Sequence, residues 1–241
     1  MHTLNLNKQT ESVLLIDRDD ELCNVVKECL EREGLNVETV HNGEEGLDRA
    51  LSGDHAIAVL DIMLPGLSGF ELLRRVRAKS QIPVIIVTAQ GEEVDRIVAL
   101  EVGADDYLSE PFNPRELVAR LRAVLRRAHP RSYDRALSSH RLVVADVEMD
   151  TSARSVLRTG EPVDLTTTEF DLLQLLLRNA GRVVAREDLA QSALGRKFSP
   201  LDRSIDLHVS HLRRKLGHYP VGSKRIKAIR GVGYLLRETP A

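Results

Sequence analysis

No stretch of about 18 consecutive apolar residues occurs in the chain, so a membrane-spanning helix is not expected. The first residues, MHTLNLNKQTES, lack the basic start, apolar core and small-residue cleavage site of a secretory signal. Cysteine is scarce. Cys23 and Cys29 are the only two, six residues apart on one expected helix and so on different faces. That excludes a disulfide framework and a cysteine zinc site, and it fits free thiols in a reducing, cytoplasmic setting. No glycine-rich phosphate loop follows the first apolar run, which disfavours a nucleotide-binding fold. A strong net charge is also missing, but the total of −2 hides an asymmetry. Residues 1–128 carry 23 Asp and Glu against 15 Lys and Arg, a net of −8; residues 129–241 carry 13 against 19, a net of +6. An acidic half joined to a basic half implies two domains, the second facing something anionic.

The first half alternates short apolar runs with helical patterns. SVLLID, NVETV, AIAVLD, PVIIVTA and DYL read as strands, each followed by an amphipathic segment. Near-continuous apolar strands with intervening helices predict an α/β, doubly wound five-stranded parallel sheet covered on both faces. Ligand chemistry in such sheets sits at the carboxyl ends of the strands. There the chain places Asp17-Arg18, Asp61, Thr88 and Ser109-Glu110, the last held just before Pro111.

The runs VLLIDRDDEL, AVLDIMLPGLSG, PVIIVTA and GADDYLSEPF resemble the receiver domain of bacterial two-component response regulators, a flavodoxin-like fold. The resemblance implies that Asp61 accepts a phosphoryl group from a sensor histidine kinase. It also implies that Thr88 is the switch hydroxyl, that Tyr107 is the switch aromatic, and that Asp17 and Asp61 hold Mg²⁺. Two positions depart from the family. Arg18 stands where a second acidic residue is usual, and Glu110 stands where a lysine is usual. Phosphorylation adds about 1.5–2 negative charges, and the missing lysine would have supplied the charge-assisted bond to the phosphoryl oxygens. Three arrangements are open. Arg18 could pair with Asp61 or Glu110 as a charge-swapped lock needing no phosphate. Asp17, Asp61 and Glu110 could form an altered cation site, helped by Asp19 or Asp20. Or Arg18 and Glu110 could be solvated, in a pocket that has decayed. An enzyme reading, a metal hydrolase of the haloacid dehalogenase kind, would need an aspartate two residues after the nucleophile; that position is Met63. No enzymatic activity is expected.

In the winged-helix response regulators the receiver dimerises through the face after the fourth strand. By resemblance that face would be Arg96, Ile97, Leu100, Glu101, Asp106, Glu116, Val118, Arg120 and Arg122. The cross-subunit pairs would be Arg96 with Glu116, Asp106 with Arg120, and Glu101 with Arg122. A two-fold interface must carry both signs on one patch, and this one does.

The second half opens with short strands, RLVVADVEM, RSVLRTG and EPVDL. TTTEFDLLQLLLRNAG has a capping-box start and a glycine stop. AREDLAQSAL and LDRSIDLHVSHLRRKLG are two further helices, and KRIKAIRGVGYLLRE forms two strands around a turn. The third helix should bury Ile205, Val209, Leu212 and Leu216. Opposite lie Ser204, Leu207, His208, His211 and Lys215, flanked by Arg203, Arg213 and Arg214, a face suited to the major groove. His208 and His211 are spaced for a metal pair but have no third ligand nearby in sequence. TTTEFDLL, DRSIDLHVSHLRRKL and IRGVGYLL resemble the OmpR/PhoB-type winged-helix effector, and the chain is similar to the CpxR-like branch. The resemblance implies a homodimer on direct-repeat promoter DNA, phosphate contacts from Arg203, Arg213 and Arg214, and Arg230 at the wing in the minor groove. The expected organisation is a flexible segment 1–10, a receiver 11–128, a linker 129–137 and a winged helix 138–241.

Overall fold

The computed structural model describes residues 11–89, 93–128, 141–199, 202–219 and 222–239, with the side chains of the fourth helix from Ile97 onward. The segments read as a flexible start and a linker lie outside the described residues. The receiver elements are β1 (Ser12–Ile16), α1 (Asp20–Arg32), β2 (Asn36–Val40), α2 (Gly43–Leu51), β3 (Ile57–Asp61), α3 (Gly69–Arg77), β4 (Val84–Thr88), α4 (Glu93–Val102), β5 (Asp106–Ser109) and α5 (Pro114–Ala128). The five strands are parallel in the order β2-β1-β3-β4-β5. Alternate residues of β1 serve opposite faces, because strand side chains have a period of two. Val13 and Leu15 pack with Cys23, Val26, Leu117, Leu121 and Val124 beneath α1 and α5. Leu14 and Ile16 pack with Ala50, Leu72, Leu73 and Leu100 beneath α2, α3 and α4. The strand order reverses between β1 and β3, which opens a crevice at their carboxyl ends.

Side-chain caps fix the helices that border the crevice. Asp19 Oδ1 accepts from the Glu21 and Leu22 N–H groups at the start of α1, both at 3.0 Å. Asn42 and Ser68 cap α2 and α3. A Cβ at Gly69 would lie 2.2 Å from the Asp61 carbonyl oxygen, so only glycine lets α3 start so close to the end of β3.

The second domain is built from β6 (Arg141–Val144), β7 (Val147–Asp150), β8 (Ser155–Arg158), β9 (Glu161–Pro162), α6 (Thr167–Arg178), β10 (Val183–Ala185), α7 (Arg186–Ala193), α8 (Ser204–Leu216), β11 (Ile226–Ile229) and β12 (Gly233–Leu236). RLVVADVEM, read as one strand, is a hairpin; the chain turns at Ala145, which has φ 52°. β10, which the sequence reading omits, adds a third strand to the β10-β12-β11 sheet. Thr166 and Glu169 form the expected capping box on α6. Ile205, Val209, Leu212 and Leu216 are all buried in the domain core, as their spacing predicts.

The two domains touch along a continuous seam. α4 packs on α8, and α5 packs on α6. Thr168, in the first turn of α6, donates its N–H to Asp105 Oδ1 (3.2 Å) and its hydroxyl to the Asp105 carbonyl (2.9 Å). Arg154 donates to the Arg127 carbonyl at 2.6 Å. Arg127 and Asp171 approach to 3.6 Å.

Candidate functional site: the receiver pocket and the face covered by α8

The pocket at the β1–β3 crevice gathers acid. Asp17 and Asp61 are buried, and Glu110 is half-buried, with its N–H bonded to the Thr88 carbonyl at 2.9 Å. The Glu110–Pro111 peptide is cis. Burial pushes the Asp17 carboxyl up to about 6, and the Asp61 charge adds to the rise. Asp61 is also pushed up by burial, against the restraining Met63 and Ile62 N–H groups and the Arg18 charge. Glu110 is raised by burial and then by the charges of Asp17, Asp61 and Asp19. All three carboxyls therefore hold protons more tightly than they would in water.

The charge-swapped lock does not form. Arg18 is exposed and, among the described residues, makes no ion pair with Asp61 or Glu110. Its influence on the pocket is through-space only. The geometric reason is the chain direction. Asp17 points inward at the end of β1, so its neighbour Arg18 points out into solvent. Nor do Asp19 and Asp20 join a cation site: Asp19 caps α1, and Asp20 faces His41 at 3.1 Å. Among the described residues no three His, Cys, Asp or Glu side chains come together closely enough to hold a metal ion. Thr88 is fully buried, and Tyr107 is turned inward, packed with Leu100 and Ala104.

In the single chain, charged residues of the face that the resemblance implies for dimerisation already carry ion pairs. Leu100 and Val118 are buried in the single chain, with Leu207 of the second domain packed against the cluster that holds Leu100. Asp106 is fully buried and pairs with Arg120 of the same chain at 2.7 Å; Arg120 also pairs with Glu116 at 2.6 Å. Arg122 pairs with Glu33 at the end of α1 in the single chain. Ile97 is half-buried and Glu101 exposed; the Arg96 side chain lies outside the described residues.

The α8 face expected to be open is covered. Ser204, His208 and His211 are buried, with 1%, 1% and 4% of their surface exposed. Leu207 packs against the receiver core cluster that contains Leu100 and Tyr107. His211 and Lys215 both face Glu169, at 3.6 and 2.6 Å. Burial pushes Glu169 up, but the bonds and charges of these two partners win and bring it down to about 2. His208 is pushed down by burial, despite the opposing charges of Glu169 and Asp105. Arg203, Arg214 and Arg230 remain exposed, the last beside the β11–β12 turn. Arg213 is half-buried; it donates to the Ile226 carbonyl at 2.9 Å and lies over the Tyr234 ring, so it braces the wing.

Several residues in this arrangement escape the sequence reading. Arg196, between α7 and α8, reaches Asp106 at 3.2 Å, 90 residues away in sequence. Arg77 is held by Asp105 at 3.0 Å. Arg225 is buried, pairs with Asp146 and donates to the Leu216 carbonyl. Each pair is distant in sequence, and no local pattern marks it.

Comparison with known proteins agrees with both halves. Residues 13–122 match the response regulator receiver domain, and residues 160–236 match the family described as transcriptional regulatory protein, C terminal. The chain is 45% identical over 226 residues to the transcriptional regulatory protein CpxR of Escherichia coli K12, covering 93% of this chain and 97% of that protein. It is 41% identical over 225 residues to the CpxR homolog of Haemophilus influenzae, covering 93% and 98%. A solved structure of a RitR mutant superposes with TM-score 0.74 at 25% identity, covering 95% of this chain and all of the other. The chain thus belongs to the response regulator family, as a receiver joined to a winged-helix DNA-binding domain of the OmpR/PhoB type.

Proposed function

We propose that this transcriptional regulator acts on direct-repeat promoter DNA as a receiver-linked homodimer, and that its receiver works with weak or no phosphorylation of Asp61. The observation that carries the reading is the charge of the pocket. Asp17, Asp61 and Glu110 gather there, the negative charges of Asp17 and Asp61 are felt at Glu110, and Arg18 stands outside without pairing. A phosphoryl group would bring about 1.5–2 more negative charges to this place. Like charges about 4 Å apart repel by at most roughly 4 kcal/mol at an effective dielectric of about 20. Thr88 and Tyr107, both buried, are the residues that would carry the state of the pocket to the face if the switch still runs.

Asp17 and Asp61 suffice as oxygen donors for a hydrated Mg²⁺, which takes one or two carboxylates and keeps several waters. Bound there, the cation would offset charge on the phosphoryl oxygens. Glu110 is not brought in as a third ligand. Asp61 remains the only phosphoacceptor of the reading. Arg203, Arg214 and Arg230 are exposed guanidiniums available to a DNA backbone or groove.

A conventional switch is the second reading. It is favoured by the family membership itself, since a receiver implies a sensor histidine kinase as partner. Intact-mass measurement after incubation with acetyl phosphate and Mg²⁺ separates the two, with Asp61→Asn as control. Little or no adduct is expected in the wild type, and a labile adduct is expected once Arg18→Asp and Glu110→Lys are combined. An abundant wild-type adduct at Asp61 that also tightens dimerisation would overturn the first reading in favour of the second.

A further inference from the structure

The carboxylate of Asp206 stands where a DNA-reading helix has least use for negative charge. It lies in the first turn of α8, three residues after the exposed Arg203, and its side chain is 34% exposed. A duplex carries one negative charge per about 1.7 Å of its axis, so a carboxylate here opposes binding unless it is answered. Arg186 answers it, with Nη2 donating to Oδ1 at 3.0 Å, and the same oxygen accepts from the Tyr234 hydroxyl. Burial first, and then the Asp206 bond, push that hydroxyl up to about 12, so it stays a donor. Both partners belong to the wing or its base. Tyr234 is buried in β12, two residues past Val232. Arg186 opens α7, and its own N–H donates to the Val232 carbonyl at 3.2 Å. Val232 in turn closes the β11–β12 turn, donating to the Ile229 carbonyl at 3.0 Å, and that turn presents Arg230. A Cβ at Gly233 would lie 1.9 Å from the Val184 carbonyl oxygen, so β12 is seated tightly on β10. Arg213 adds a second tie to the wing, at the Ile226 carbonyl of β11. It lies seven residues beyond Asp206, about 10 Å along the helix. Apolar packing between α8 and β12 is non-directional; the two polar ties set the angle.

We propose that Asp206 is a positioning residue for DNA binding: through Tyr234 and Arg186 it locks α8 to the β11–β12 turn, so that Arg203 and Arg214 on the helix and Arg230 on the wing meet one duplex together. The proposal rests on the reading of those arginines as DNA contacts. Two groups held at a fixed angle engage without a further ordering cost, which is the gain from preorganisation. With the tie cut, the helix can bind while the wing turns away, and Arg230 is left unengaged. A first-turn acid also suits the dipole of α8 by itself, but that role concerns the helix alone and leaves the wing untouched.

Full-length variants test this through the salt dependence of binding to a labelled duplex of random sequence. Each lost phosphate contact lowers the slope of log affinity against log salt by about one. Arg230→Ala should lower the wild-type slope by about one contact's worth. Asp206→Ala should lower it by the same amount, and adding Arg230→Ala to it should change the slope no further. Asp206→Asn keeps the accepting oxygen and should restore the wild-type slope. If Asp206 served only the stability of α8, the two substitutions would act independently, and their effects would add. Additive slopes would therefore overturn the proposal, as would an Asp206→Ala chain that binds duplex more tightly than the wild type. Hydrogen exchange on the same chains without DNA gives a second readout. In Asp206→Ala the amides of residues 229–236 should exchange about tenfold faster, as loss of a charge-assisted bond implies, while those of α6 stay protected. Unchanged exchange in the wing also overturns the proposal. If no chain binds duplex, the wild type included, the DNA reading falls with the role built on it, and exchange alone decides whether Asp206 ties helix to wing.

Discussion

At the carboxyl end of the receiver sheet, three carboxyls share one exposed arginine that touches none of them. At the opposite, amino-terminal end of β5, at the domain seam, two aspartates are buried more deeply and both are satisfied. Asp105 takes Arg77, the Val84 N–H and the Thr168 N–H. Asp106 takes Arg120 and Arg196. The result is opposite charge behaviour: the pocket carboxyls are pushed up, and Asp106 is held down. Burial raises all of them, and what differs is whether a guanidinium sits within bonding distance. The seam is charge-balanced and closed by the chain itself. The pocket is left with excess negative charge, which suits an added cation better than an added phosphate.

The largest expected effect falls on the balanced region. Arg77→Met leaves Asp105 buried without its guanidinium, a loss of about 3–5 kcal/mol for a broken buried pair. Urea unfolding would measure it; a change inside experimental error would mean that Asp105 does not depend on its guanidinium. Next is Glu169→Gln, which removes charge-assisted bonds from Lys215 and His211 at about 1.5–3 kcal/mol. The sign with pH follows from a carboxyl held near 2 when folded and near 4.5 when free. Its contribution is present above pH 4.5 and is lost as pH falls from there through 2. The wild type and Glu169→Gln should therefore differ in urea midpoint at pH 7 and converge in acid. A constant difference would assign the effect to shape and not to charge.

On the unbalanced side, Asp61→Asn should let Glu110 titrate lower, because one of the negative neighbours raising it is gone. Carboxyl chemical shifts followed against pH would show it, and an unmoved Glu110 would mean that the pocket charges do not sense one another. The smallest effect is chemical. Cys23 is buried and pushed up to about 12 by burial and nearby aspartates, whereas Cys29 is partly exposed. A thiol reagent should label Cys29 in the folded chain and reach Cys23 only on unfolding.

Much of the fold could be read from local pattern. Val13, Leu15, Leu14 and Ile16 announce a strand buried on both faces, and Ile205, Val209, Leu212 and Leu216 announce the buried stripe of α8. Thr166 with Glu169 announces the start of α6. The pocket could be read too, because Asp17, Asp61, Thr88 and Glu110 each end a strand, and parallel strands bring their ends together. The hairpin at Ala145 was not legible: a two-residue turn without glycine or asparagine leaves RLVVADVEM looking continuous. The role of Arg18 was also not legible, because adjacency in sequence does not say which of two neighbours points inward.

The sequence by itself determined two domains, the order of their elements and the residues that end each strand, since all of these depend on periodicities of two and 3.6 and on local caps. Only the tertiary structure decided that Arg18 stands apart from Asp61 and Glu110, that Arg122 turns to Glu33, and that α8 lies on the receiver with Arg196 on Asp106. Those outcomes depend on how one packed surface meets another across tens of residues, where competing partners of equal charge are told apart by distance and burial alone.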